Sequence, residues 1–179
     1  MNNAILISAL IAATVLAVPE ASARLGETLA QSDQRYGVKN VVPYDYSIIG
    51  LSGPGVTNRT YLYQGWRIKT TFIQGRAAML QYSKQHNEKI QDDEALAILQ
   101  AESGGGEWTE VSQLSLNPLK HIQNMMTAPR LWTNSNGIKA YFNNPQYMTL
   151  VVESPEVEQY KKAQAEAAEE KRKASIPNF

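Results

Sequence analysis

The spacing of hydrophobic positions changes several times along the chain, and the first pattern is a predominantly apolar, uncharged run over residues 4–18. This run is shorter than the about 20 residues that a membrane-spanning helix needs. It is followed by Ala21-Ser22-Ala23, which has the small residues that signal peptidase accepts at its cleavage site. We therefore expect a signal peptide over 1–23, cleaved after Ala23, and no membrane span in the mature chain. An uncleaved N-terminal anchor is the alternative.

Helical spacing of apolar residues then predicts two helices in the mature chain. The first covers 24–36 and stops at Gly37. The second begins at Asp92 or Asp93, either of which would cap it, and stops at the glycines 104–106. A further short helix over 119–126 is bracketed by prolines.

After each main helix the hydrophobic period falls to two, which predicts two antiparallel meanders. Glycine-containing turns separate the strands, which we place at 60–64, 66–73 and 76–83 in the first meander and at 130–133, 138–142 and 147–153 in the second. The fold class is therefore α+β, with two halves that each consist of a helix and a three-stranded antiparallel meander. Two arrangements remain open: one shared sheet with both helices on one face, or a separate sheet under each helix.

Residues 155–179 differ in composition from the domain at 24–154, because blocks of Lys, Arg and Glu alternate there with alanine. Glu158 with Lys162, and Glu169 with Lys173, have the i,i+4 spacing that stabilises an isolated helix. We expect a polar C-terminal helix that frays before the end of the chain. It is either a solvated helix or one that docks to a partner.

Charge and cysteine content exclude several classes of protein. The chain of 179 residues has 17 Lys and Arg and 17 Asp and Glu, and this balance argues against a nucleic-acid partner. It has no cysteine, which excludes disulfides, thiolate catalysis, cysteine zinc sites and a lipid-bearing cysteine. Export without cysteine favours a bacterial envelope, with periplasm and extracellular medium both open.

Residues suited to catalysis are few. The two histidines, His86 and His121, lack the spacing of a metal site, and we expect neither a metal nor a cofactor. Glu102 and Glu107 flank the triple glycine next to a tryptophan, where a carboxyl group with a raised pKa could serve as a general acid. One hypothesis is therefore a hydrolase, for example a glycan-directed one, that uses Glu102 or Glu107 with a histidine if folding brings them together.

Aromatic side chains concentrate on the two meanders, and a sheet that exposes Tyr and Trp would bind a protein or a glycan well. Basic residues alternate with them along the central strand of the first meander, so they lie on the opposite face, which we expect to be solvated or at least polar. The candidate binding residues are Tyr61, Tyr63, Trp66, Arg67, Lys69, Arg76 and Tyr141. The favoured hypothesis is an exported, non-catalytic protein that binds an envelope protein or polymer. A structural subunit that assembles through its C-terminal helix is a further alternative.

Three short motifs carry a resemblance to known proteins. Arg24-Leu25-Gly26-Glu27-Thr28, Arg35-Tyr36-Gly37 and Gly75-Arg76-Ala77, with an acidic-capped helix and a following tryptophan, resemble a group of small exported bacterial proteins without an assigned function. The helix-plus-meander pattern is also similar to the architecture of β-lactamase inhibitor proteins and outer-membrane assembly lipoproteins. The chain lacks the disulfides of the former and the lipid-bearing cysteine of the latter. Neither resemblance supplies catalytic residues.

Overall fold

A computed structural model of the chain describes residues 24–42, 51–111, 130–143, 146 and 148–175. These residues form three α-helices and an eight-stranded antiparallel sheet, which confirms the α+β class. The helices are α1 (Leu29–Tyr36), α2 (Asp92–Ala101) and α3 (Pro155–Ala174). The strands are β1 (Val41–Val42), β2 (Val56–Tyr63), β3 (Trp66–Ile73), β4 (Arg76–Lys84), β5 (Trp108–Glu110), β6 (Leu131–Asn134), β7 (Lys139–Phe142) and β8 (Thr149–Glu153).

The two meanders share one sheet, with strand order β1-β2-β3-β4-β8-β7-β6-β5. Their last strands, β4 and β8, pair in the middle, where Tyr82 lies opposite Leu150. The order of strands from either edge to the centre is therefore the same in both halves. The short outer strands β1 and β5 were not expected from the hydrophobic pattern, because two or three residues are too few to show a period.

Two-residue turns set the register of the first meander. Gln64-Gly65 and Gln74-Gly75 both have positive φ at each residue, as a type I′ hairpin turn requires. Strand pairing runs from Tyr63 opposite Trp66 at the first turn to Val56 opposite Ile73 at the far end. The predicted positions of β3 and β4 are thus confirmed, and β2 begins four residues earlier than expected.

Helices α1 and α2 both pack on one face of the sheet, which we call the helical face. Its core contains Tyr36 from α1, Ile98 and Leu99 from α2, and sheet residues that alternate along the strands, including Tyr61, Ile68, Leu80, Tyr82, Trp132, Phe142, Leu150 and Val152. The structure therefore selects the arrangement with one sheet and both helices on the same side.

The opposite face of the sheet carries the predicted polar residues on β3, but they are buried at its centre. Lys69 is only 1% exposed and Thr71 is fully buried. A second hydrophobic cluster lies on this side, where Val157 of α3 packs with Met79 and Val151. Helix α3 covers part of this face. Strand alternation assigns residues to one face or the other, but it does not show whether another element covers that face.

Helix α1 begins five residues later than expected, because residues 24–28, the N-terminal segment, form a turn and a single β-bridge from Thr28 to Arg76. Gly26 N–H donates to the carbonyl of Ala77 at 2.7 Å, and Ala77 N–H donates to that of Glu27 at 2.8 Å. Thr28 then caps α1 in a reciprocal capping box with Gln31. Backbone pairing with β4 thus outweighs the helical spacing of the apolar side chains. The predicted helix over 119–126 lies outside the described residues.

Only the first turns of α3 pack against the sheet. Val157 is fully buried, whereas residues 161–168 are exposed. The predicted pair of Glu169 with Lys173 is present at 3.7 Å, but Glu158 lies 3.8 Å from Lys139 instead of pairing with Lys162. The polar C-terminal helix is thus confirmed over α3. No helix in the described part of the chain is long and apolar enough to cross a membrane.

We expect Val157→Ala to lower the free energy of unfolding by about 2 kcal/mol, since it removes two buried carbons and leaves a cavity under α3. Urea denaturation measures this change. The neighbouring exposed residue provides the control, because Gln159→Ala should change stability by less than about 0.5 kcal/mol. Equal effects of the two substitutions would show that α3 is not anchored through Val157.

Candidate functional site

The three short motifs singled out in the sequence come together around the N-terminal segment. The guanidinium of Arg35 donates to the Glu27 carboxylate, with its Nε at 2.9 Å. Arg76 Nη1 donates to the carbonyl of Gly26 at 3.1 Å. Residues distant in the sequence thus hold the N-terminal segment between α1 and the start of β4.

A buried carboxylate lies at the end of this segment. Glu102 immediately follows α2 and is fully buried. Its Oε1 accepts a hydrogen bond from the Tyr82 hydroxyl at 2.6 Å, and its Oε2 accepts one from Leu25 N–H at 3.3 Å. Arg24 lies beside both groups, with Nε 3.6 Å from Glu102 Oε1 and Nη1 donating to the Tyr82 hydroxyl at 3.2 Å. We call Arg24, Tyr36, Tyr82 and Glu102 the polar cluster.

Burial determines the protonation of the polar cluster. It raises the pKa of Glu102, although hydrogen bonds and Arg24 act in the other direction. It also raises the pKa of Tyr36 to about 12 and that of Tyr82 well above its usual range. Both tyrosines therefore remain protonated at neutral pH. The Arg24 guanidinium lies 5.7 Å from the ring centre of Tyr36 and 5.9 Å from that of Tyr82, within cation–π range.

Above the polar cluster, a cavity of about 310 Å³ opens between α2 and the β2–β3 hairpin. Tyr63 and Trp66 form one wall, and Ala97 and Ala101 of α2 form the other. Arg24 and Tyr82 also line this cavity, which we call the aromatic cleft.

A pair of opposite charges lies at one side of the aromatic cleft. Glu94 lines the cavity and forms an ion pair with Lys84, whose Nζ lies 2.8 Å from Glu94 Oε1. The ammonium of Lys84 also lies 5.9 Å from the ring centre of Trp66. The cleft therefore combines aromatic and small apolar walls with the polar groups of Arg24 and Glu94, a composition typical of ligand sites.

The predicted binding residues do not form one surface. Tyr63 and Trp66 line the aromatic cleft, and Arg76 is exposed at the start of β4. Tyr61 and Lys69, by contrast, are buried, so neither side chain is available to contact a partner directly. Tyr61 packs against Tyr36 of α1 at 4.7 Å between ring centres and donates a hydrogen bond to Asp33 at 2.8 Å.

Arg67 and Tyr141 lie on the opposite face of the sheet from the aromatic cleft. In the strand register Arg67 pairs with Leu62 and Tyr141 pairs with Val151. Each of these residues is adjacent in sequence to one whose side chain lies on the helical face, so its own side chain lies on the other face. Tyr141 donates to Glu153 at 3.4 Å and packs on the cluster under α3. Strand alternation therefore divides the candidate binding residues between the two faces of the sheet.

The residues of the hydrolase hypothesis are also separated. Glu107 is exposed and lines a second depression, on the side of α2 that carries Leu96 and Gln100. Glu102 is buried among Arg24, Leu25 and Tyr82 on the other side. His86 is exposed in the turn after β4, and His121 lies outside the described residues. Within the described ranges, no group of three or more His, Asp or Glu is arranged to hold a metal ion.

The neighbouring tryptophan has a structural role. Trp108 Nε1–H donates to the carbonyl of Leu99 at 2.7 Å, so its indole satisfies a carbonyl in the last turn of α2. The carboxylate of Glu102 instead contacts Tyr82 and the backbone of Leu25. Of the polar cluster, sequence reasoning singled out only Glu102. The Arg24 and Tyr36 motifs were noted for their resemblance alone, and nothing in the spacing connects them to Glu102.

Comparisons with protein-family models, with curated proteins and with solved structures found no match to this chain.

The pH dependence of stability tests the state of Glu102. Because burial raises the pKa of this carboxyl above its unfolded value of about 4.3, the folded state binds the proton more tightly. Its stabilising contribution is therefore complete below that pH and is lost as the pH rises through the folded pKa. We therefore expect the difference in free energy of unfolding, wild type minus Glu102→Gln, to decrease as the pH is raised from 4 to 8.

This measurement uses urea denaturation of protein in which Arg24 remains joined to Ala23 by a peptide bond. A tenfold difference in proton affinity between the folded and unfolded states corresponds to about 1.4 kcal/mol. Glu107→Gln, which removes an exposed carboxylate, serves as the control and should show no comparable trend. A difference for Glu102→Gln that is flat or rises with pH contradicts the prediction.

Proposed function

We propose that the protein is an exported, non-catalytic binding protein of the cell envelope, and that it holds its ligand in the aromatic cleft. The apolar run over 4–18 and the Ala-x-Ala sequence before Arg24 support export. The expected partner is an envelope protein or polymer that inserts a bulky side chain or a sugar ring into the cleft.

The observation that carries this proposal is the position of Tyr63 and Trp66. Both remain half-buried, whereas Tyr61 on the same strand face is fully buried. They stand opposite Ala97 and Ala101, and these short side chains leave a space of about 310 Å³. That volume is at the lower end of the range for ligand pockets, and Tyr and Trp are the side chains that contribute most to binding energy.

Arg24 is the residue that would orient a ligand in the cleft. Its side chain is 26% exposed, and the contacts with Tyr82 and Glu102 hold the guanidinium in place. A planar guanidinium held in this way still has donors to offer to a carbonyl, hydroxyl or carboxylate of a ligand. The aromatic walls would bind the apolar part of the ligand, and Arg24 would orient its polar part.

Two arguments support binding rather than catalysis or assembly. Glu102 is fully buried with partners on both of its oxygens, so it is poorly placed to exchange a proton with a substrate. The exposed part of α3 has charged residues and alanine around its whole circumference, whereas a docking helix needs an apolar stripe.

Site-specific photo-crosslinking in living cells tests the proposal. A benzoylphenylalanine at Ala97 would stand at the aromatic cleft, and we expect it to form a discrete covalent adduct with the partner. The additional substitution Trp66→Ala should reduce the yield of that adduct at least tenfold, because it removes the largest wall of the cleft.

Leu96 provides a matched control, since it is the adjacent residue of α2, is 57% exposed and lines the second depression instead. The same probe at Leu96 should give no such adduct. Tyr160→Ala, which changes a half-buried tyrosine on α3, should leave the adduct from Ala97 intact. Identical adducts from both probe positions, or an adduct insensitive to Trp66→Ala, would exclude the cleft as the binding site.

A further inference from the structure

The backbone of the N-terminal segment reaches the buried carboxylate of Glu102 at Leu25, the residue next to Arg24. The N–H of Leu25 donates to Glu102 Oε2 at 3.3 Å. Backbone hydrogen bonds from both Leu25 and Arg24 act on Glu102 and lower its pKa. The backbone hydrogen bonds of Gly26 and Glu27 with Ala77 fix the chain directly after Leu25. The Leu25 N–H contact with Glu102, and the contacts of the Arg24 guanidinium with Tyr82 and Glu102, hold residue 24 beside this carboxylate.

The main-chain nitrogen of Arg24 is the atom that the expected cleavage would release. In the uncleaved chain it belongs to a neutral peptide group. Hydrolysis of the Ala23–Arg24 bond adds water across it, leaving a carboxylate on Ala23 and an amine on Arg24. An α-amino group has a pKa of about 7.7–8.0, so it carries a positive charge in much of the neutral range.

An additional positive charge in the polar cluster would stabilise the ionised form of Glu102. Glu102 is fully buried, and its nearest cation is the Arg24 guanidinium, with Nε at 3.6 Å. In the uncleaved chain, burial destabilises the Glu102 carboxylate more than its hydrogen bonds and Arg24 stabilise it, and the pKa of Glu102 is raised as a result. A buried carboxylate is stable as an ion when it is paired and hydrogen-bonded, and an ammonium at the Arg24 nitrogen would provide both.

We propose that the α-ammonium group released by cleavage between Ala23 and Arg24 pairs with the carboxylate of Glu102, so that maturation completes the polar cluster beneath the aromatic cleft. The cleavage itself rests on the export in the proposed function; the pairing rests on the geometry of Arg24 and Glu102. Processing then does more than detach the signal peptide: it adds an ion pair that locks Arg24 into the wall of the cleft and stabilises the mature fold relative to its precursor.

The decisive comparison is between two forms of the mature chain. One begins at Arg24 with a free amine, released from a removable fusion partner; the other has Ala23 retained, which moves the amine one residue, about 3.8 Å between Cα atoms, along the chain. The hydrophobic core of the described residues is formed entirely by residues after Ala23, so both forms contain it. We expect the retained alanine to lower the melting temperature by about 3 °C or more.

The same pair of forms is then compared in the Glu102→Gln background. If the amine acts through the carboxylate, the retained alanine should have little effect there, whereas the effect should persist with Glu107→Gln, which removes an exposed carboxylate. Equal sensitivity to the extra alanine with and without the Glu102 carboxylate would overturn the pairing.

A second measurement covers the case in which Glu102→Gln does not fold. The pKa of the Arg24 α-amine in the wild-type mature chain, measured by NMR with ¹⁵N labelling, should lie above the usual 7.7–8.0 because a buried carboxylate stabilises the ammonium. A normal or lowered pKa overturns the proposal.

N-terminal sequencing of the exported protein tests the cleavage separately. A start at Arg24 supports maturation at this bond, and a start elsewhere excludes it. The photo-crosslink from Ala97 depends on neither result, so failure of the cleft as a binding site and failure of the ion pair can be told apart.

Discussion

The burial of a single carboxylate organises the helical face of this protein. Glu102 is fully enclosed, and a carboxylate in that position must be supplied with donors from the protein itself. The donors come from the N-terminal segment through Leu25 and from the centre of the sheet through Tyr82. The end of α2, the middle of β4 and the first described residues of the chain are thereby held together, although they are far apart in sequence.

The aromatic cleft follows from this arrangement. Because Arg24 is held against Tyr82 and Glu102, its guanidinium stands at the edge of the space between α2 and the β2–β3 hairpin. Alanines on α2 leave that space open, and Trp66 and Tyr63 border it at the turn end of the hairpin. The contacts that satisfy a buried charge therefore also shape the cavity that we propose as the ligand site.

The fate of the aromatic residues shows what strand alternation can and cannot predict. Alternation correctly assigns Tyr61 and Tyr63 to the same face of β2, since their side chains are two residues apart. Tyr61 packs against Tyr36 of α1 and is fully buried, whereas Tyr63 makes an edge-to-face contact with Tyr36, at 5.5 Å between ring centres, and stays half-buried. Exposure depends on where a helix ends above the strand, and the period of the strand contains no information about that.

The sequence by itself determined the α+β class, the position of α2, the strands next to the glycine turns and the polar character of α3, because each rests on contacts between residues near one another in the chain. Only the tertiary structure decided that β4 pairs with β8, that residues 24–28 bond to β4 instead of extending α1, and that Lys69 is buried. It also decided that Glu102 meets Arg24 and Tyr82 rather than a histidine. These outcomes depend on which distant backbone and side-chain groups satisfy one another, and a local pattern of hydrophobic and polar positions does not specify that choice.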